Sequence, residues 1–129
     1  MSKLMLGAAL SLALAAGAAQ GSAIWQPLLK TADGVSWFLK RGSLQTADAT
    51  GKVYGFWIRS ENPATQRARQ TMVQVKLACG QGWYVPLHVT LYDANGRILR
   101  DDVKGDAAAN WVKVEAGGVV DVASKWVCR

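Results

Sequence analysis

Two cysteines, Cys79 and Cys128, are the only thiols in this chain of 129 residues, and they stand 49 positions apart behind an N-terminus that reads as an export signal. Met1-Ser2-Lys3 is followed by an apolar stretch from Leu4 to about Ala16 and then by small residues ending Gly21-Ser22-Ala23. That is the order of charge, hydrophobe and small residues in a cleaved signal peptide, so residues 1–23 are expected to be removed. Export places the rest in an oxidising compartment, the periplasm or the cell surface, where two thiols in a small domain are most simply one structural disulfide. Closing a loop of about 50 residues is worth roughly 4 kcal/mol in the chain-entropy model. Against a total stability of about 5–15 kcal/mol, such a staple constrains the fold more than any other single feature.

Residues 24–129 are the size of one compact domain. The apolar part of the leader is about 13 residues long, short of the roughly 20 that span a bilayer, and no later segment is continuously apolar at that length. Stable membrane insertion is therefore not expected. The leader also carries no cysteine for a lipid anchor. The formal charge of +6 becomes +5 once Lys3 is removed, leaving 14 basic and 9 acidic residues. This modest excess favours anionic glycans or acidic proteins as partners, and export argues against nucleic acid.

Turn signals recur at short intervals, at Asp33-Gly34, Gly42-Ser43, Asp48 to Gly51, Gly80 to Gly82, Asp93 to Gly96 and Gly117-Gly118. Between them lie six runs rich in β-branched and aromatic residues: Val35 to Lys40, Lys52 to Ser60, Thr71 to Cys79, Trp83 to Tyr92, Arg97 to Asp101, and Trp111 to Val114. In the third run Val73, Val75, Leu77 and Cys79 share one face, with Met72, Gln74, Lys76 and Ala78 on the other. In the fourth, Trp83, Val85, Leu87, Val89 and Leu91 are expected to share the apolar face. Asn95-Gly96 tolerates the positive φ angles of a hairpin turn. At the C-terminus Val119, Val120, Val122, Ala123, Trp126 and Val127 recur at helical spacing, although their β-branching leaves a final strand open. The expected fold is α+β: an antiparallel sheet of about six strands, a C-terminal helix packed on one face, and one disulfide. Glu61 to Gln70 is the longest expected loop.

No catalytic constellation emerges, and the chain is expected not to be an enzyme. His88 is the single histidine, too few for a zinc site without partners at suitable spacing, so neither metal nor cofactor is expected. Glu61 and Glu115 flank turns and form no evident acid/base pair. No Gly-x-Ser-x-Gly elbow occurs, and Cys79-Gly80-Gln81-Gly82 lacks the second thiol of a redox motif. The candidate binding residues are instead Lys40, Arg41, Arg59, Arg67 and Arg69, a basic cluster around strand ends and the loop after Ser60, together with Trp57. Trp57 belongs to a strand that carries large apolar groups on both faces.

The strand Val53-Tyr54-Gly55-Phe56-Trp57-Ile58-Arg59, the stretch Val75-Lys76-Leu77-Ala78-Cys79, the hairpin Leu91 to Leu99 around Tyr92-Asp93-Ala94-Asn95-Gly96, the strand Trp111-Val112-Lys113-Val114 and the closing Val127-Cys128 follow an order that resembles the surface-adhesin protein E family of bacterial exported proteins. The resemblance spans nearly all of residues 24–129. It implies a small antiparallel sheet with a helix packed on it, and an adhesin's partners, host extracellular proteins such as vitronectin and laminin. The chain departs from the family in its missing lipid-anchor cysteine and in Glu115-Ala116-Gly117-Gly118, where Pro-Gly-Ser usually precedes the last helix. The expected function is that of an exported, non-enzymatic binding module, an adhesin in the family's manner. The alternative is a periplasmic inhibitor or accessory subunit that occupies another protein's cleft.

Overall fold

The computed structural model describes residues 24–65, 67–104 and 110–128; the expected signal peptide lies outside the described residues. Its architecture is α+β, an antiparallel sheet closed on one face by a C-terminal helix and stapled by the Cys79–Cys128 disulfide, with 5.6 Å between the Cα atoms. The strands are β1 (Trp25–Lys30), β2 (Ser36–Lys40), β3 (Gln45–Thr46), β4 (Val53–Glu61), β5 (Gln70–Ala78), β6 (Trp83–Tyr92), β7 (Ile98–Val103) and β8 (Val112–Lys113), followed by helix α1 (Val119–Val127). Their main order is β1-β2-β4-β5-β6-β7, with β3 paired to β4 and β8 to β6.

Among the described residues the sheet has eight strands, and the two beyond the expected six have clear physical causes. β1 contains Pro27, whose missing N–H would break a central ladder but costs little at an edge, and the strand bulges beside it at Leu28. β3 is a two-residue continuation of the path begun by β2, separated from it by a 3₁₀ turn at Arg41–Ser43. That turn lifts the chain off β4 and would leave the Trp57 amide without a ladder partner. Ser43 restores it: its Oγ accepts the Trp57 N–H at 2.9 Å and donates to the Lys40 carbonyl at 2.6 Å.

A matching break occurs on the far side of the sheet. Gln74 pairs with His88 but Val75 pairs with Pro86, so Leu87 is an extra residue and β6 bulges there. Below the bulge β6 pairs with β8; above it, with β7. The bulge corrects the expected alternation, because it reverses the side-chain parity halfway along the strand. Tyr84 and Pro86 join Val89 and Leu91 on the helix side, while Trp83 and Val85 share the opposite face with His88 and Thr90.

The core fills the space between the sheet and α1. Leu39, Phe56, Ile58, Val75 and Leu77 pack against Val120, Ala123 and Val127, with Phe56 1% exposed and Ala123 fully buried. The small Ala123 side chain lets the helix sit close to the sheet. Trp126, expected on the same apolar stripe, is instead 41% exposed at the helix edge. The helix begins after Gly117, which adopts a φ of 78°, and the Asp121 carboxylate accepts the Gly117 N–H at 2.8 Å beside the positive end of the helix dipole. The β6–β7 hairpin has a cause other than the one expected. Asn95 does not take positive φ; the Asp93 carboxylate accepts the Asn95 and Arg97 amides at 2.9 Å each, and Gly96 alone enters the left-handed region.

The disulfide joins the end of β5 to the residue after α1, and so ties the lid to the sheet it covers. Cys128→Ser is expected to lower the unfolding free energy by about 4 kcal/mol in oxidising buffer and to change little in reductant. Urea denaturation of both forms with and without reductant measures the difference; equal midpoints in oxidising buffer would contradict it.

Candidate functional site

The face of the sheet turned away from α1 is built by the alternate residues of the same strands. Arg59 stands opposite Phe38 on one side and Met72 on the other, Trp57 opposite Gln74, Gln74 opposite His88, and Thr90 opposite Asp101. Among the described residues no second helix lies over this face. The sequence accounts for its character directly: β4 alternates Phe56, Ile58 and Ser60 inward with Trp57, Arg59 and Glu61 outward, so both faces receive bulky groups.

The expected basic cluster is divided between this face and its end. Arg59 stacks on two rings, its guanidinium carbon 4.4 Å from the centre of Trp25 and 5.0 Å from that of Phe38. Lys40 lies opposite Trp25 in the β1–β2 ladder and is exposed. Thus Arg59, Lys40 and Trp57 come together on the open face. Arg69 pairs with Glu61 at 3.6 Å at the end of that face, and Gln70 donates to the second Glu61 oxygen at 2.8 Å. Arg41 bonds Gln26, and Arg67 is exposed on the loop between β4 and β5. That loop is pulled in at both ends, by Asn62 N–H to Arg69 O and by Arg69 N–H to Tyr92 O, each 2.8 Å.

Arg59 contributes little net stability. Its Nε is buried without a hydrogen-bond partner, a cost of roughly 1–3 kcal/mol, and two cation–π contacts of roughly 0.5–2 kcal/mol each offset it. These magnitudes cancel, which leaves the residue's position among the half-buried rings of Trp25 and Phe38 as the feature to explain.

A polar group that the sequence did not single out lies across β6 and β7. His88 Nε2 is 2.6 Å from Asp101 Oδ1, Thr90 donates to the same oxygen at 2.7 Å, and the His88 ring meets Trp57 edge-on with centroids 5.4 Å apart. The Thr90 hydroxyl and then the His88 ring hold the Asp101 carboxyl below its ordinary value. The signal that would have found this group was Pro86. A proline in mid-strand marks a bulge, and the bulge is what turns His88 toward Trp57.

Nearer β8 the open face becomes concave. Val53, Ala78, Gln81, Trp83 and Trp111 line a cleft of about 450 Å³. Trp83 is 42% and Trp111 40% exposed, and Lys76 Nζ stands 6.0 Å from the Trp111 ring centre. Lys113 is opposite Trp83 in the β6–β8 ladder. Among the described residues no group of three or more His, Cys, Asp or Glu side chains is placed to hold a metal ion. No known protein family, curated protein or solved structure matches the chain.

The depressed Asp101 pKa favours the folded state when the carboxylate is ionised. Its contribution is therefore present above the ordinary value of 3.8 and is lost as pH falls through the lower folded value. Asp101→Asn is expected to destabilise the protein at neutral pH, with the gap to the parent closing below about pH 4. Urea midpoints measured against pH for both forms check this, and a gap that widens in acid would refute it.

Proposed function

We propose that this chain is an exported, non-enzymatic binding module that engages a partner protein through the face of its sheet turned away from α1, in the manner of an adhesin for host extracellular matrix or serum proteins. The observation that carries the reading is the contrast between the two faces. One is sealed by α1, while the other presents Trp25, Trp57, Trp83 and Trp111 among Lys40, Arg59 and Lys76. Aromatic side chains beside cations are the groups that most often dominate protein recognition. The order of elements resembling the surface-adhesin protein E family supports the same function, and the leader-like N-terminus supports export.

Arg59→Met is the informative substitution, because it keeps the volume that Trp25 and Phe38 pack against while removing the charge. It is expected to leave the unfolding free energy within about 1 kcal/mol and to weaken capture on immobilised laminin or vitronectin about tenfold, equivalent to about 1.4 kcal/mol. Arg67→Glu, on the loop, is expected to leave capture unchanged. Solid-phase binding with each variant reads the difference. Loss with Arg67→Glu and none with Arg59→Met would move the binding surface to the loop.

A further inference from the structure

Where β1 and β2 meet the last turn of α1, a small pocket opens on the helix side of the sheet, away from the face proposed for partner binding. It has a volume of about 270 Å³, and Leu39, Leu44, Trp126 and Val127 supply its apolar lining. Leu39 and Val127 belong to the core and form its inner end, whereas Leu44 is 43% exposed at its mouth. A cavity of about 150 Å³ holds one benzene ring, so this one has room for a fused pair.

The polar part of the lining is cationic. Gln26, Lys40 and Arg41 contribute to it, and no aspartate or glutamate does. Gln26 is the member that a core-facing position does not explain, because it is half-buried and paired with Leu39 across the β1–β2 ladder. Its hydrogen bonds account for it: Nε2 donates to the Pro27 carbonyl at 3.1 Å, and Oε1 accepts an Arg41 Nη. Arg41 is thus positioned by a neutral amide, on a 3₁₀ turn that Ser43 ties to the Lys40 carbonyl, and its charge is not cancelled by the contact. Among the described residues no carboxylate pairs with Lys40 or Arg41. Gln26 takes one of the five guanidinium N–H groups, and the remainder suit the two oxygens of a carboxylate.

The opposite wall sets the orientation of anything that enters. Val127 ends α1, where the last carbonyls form the negative end of the helix dipole and disfavour an anion beside them. An anionic group therefore belongs at Arg41, and an apolar body against Leu39, Leu44 and Val127. A phosphate would bring more acceptor oxygens than one guanidinium beside an apolar lining can satisfy. We propose that this pocket binds a small monocarboxylic acid with a compact apolar body of about two fused rings, its carboxylate held by Arg41. Apolar burial supplies the affinity, and Arg41 supplies the selection for an anion. The site lies apart from the partner-binding face and does not rest on the adhesin reading.

The test uses the full chain and 1-naphthylacetate, titrated by calorimetry, with 1-naphthylacetamide, acetate and inorganic phosphate as comparison probes. Naphthylacetate is expected to saturate one site per chain and to bind at least tenfold more tightly than any of the other three. Arg41→Gln removes the charge and should weaken it about tenfold; Leu44→Ser, which opens the apolar mouth, should weaken it severalfold. Both positions are exposed, so urea midpoints should stay at the parent's value and separate lost binding from lost folding. Trp83→Ala, in the cleft on the other face, should leave the affinity unchanged. No saturable binding, equal binding of the acid and its amide, or full affinity retained in Arg41→Gln would overturn the assignment. So would a loss with Trp83→Ala that Arg41→Gln does not share, because it would move the ligand to the other cleft.

Discussion

The packing of α1 on one face of the sheet is the interaction on which the rest of this structure depends. A short helix of nine residues is not stable by itself in water, and this one carries five residues of the poorly helical β-branched and aromatic types. It exists because Val120, Ala123 and Val127 are buried against Phe56, Val75 and Leu77, and because Cys128 is bonded to Cys79 at the end of the strand beneath it. The disulfide thus acts where local propensity is weakest. It limits how far the lid can move from the sheet even when its short apolar stripe is strained.

Sealing one face decides the character of the other. Among the described residues one helix covers the sheet, and the second face holds Ala78, Val85 and Thr90 buried while Trp25, Trp57, Trp83 and Trp111 keep partial contact with solvent. Two local devices shape that surface. The 3₁₀ turn at Arg41–Ser43 interrupts the β2–β3 path, and Ser43 repairs the ladder at Trp57. The Leu87 bulge interrupts β6, and it turns His88 toward Trp57 and keeps Trp83 on the same side. Near these breaks the open face acquires an aromatic–cation stack at Arg59 and a cleft between Trp83 and Trp111. These two breaks therefore help to arrange the proposed binding surface.

Much of this organisation was legible in the residues. The two cysteines, the regular turns and the period-two pattern of Val73, Val75 and Leu77 specify an antiparallel sheet with one covered face, and the helical spacing from Val119 specifies its lid. What was not legible depended on single interactions between distant positions. The pairing of β1 rests on edge placement of Pro27, which a strand reading discounts. The parity of β6 rests on one extra residue, and its only local sign is Pro86. The basic cluster read from Lys40, Arg41, Arg59, Arg67 and Arg69 was divided because charge in a sequence carries no face: Arg59 is turned to Trp25 by the pleat of β4, while Arg69 meets Glu61 across the β4–β5 hairpin. Trp83 and Trp111 could be recognised as strand residues, but their meeting on one side of β5 follows from the β6–β8 ladder.

One face of the sheet is a sealed core, and the other is the proposed recognition surface. The most direct measurement is hydroxyl-radical footprinting of the six tryptophans by mass spectrometry, in the free protein and with a matrix protein bound. Trp83 and Trp111 are expected to be oxidised faster than Trp37, which packs against the core, and partner binding is expected to protect Trp57, Trp83 and Trp111 together. Oxidation of Trp83 and Trp111 as slow as that of Trp37, or protection confined to Trp126 on the helix side, would contradict it.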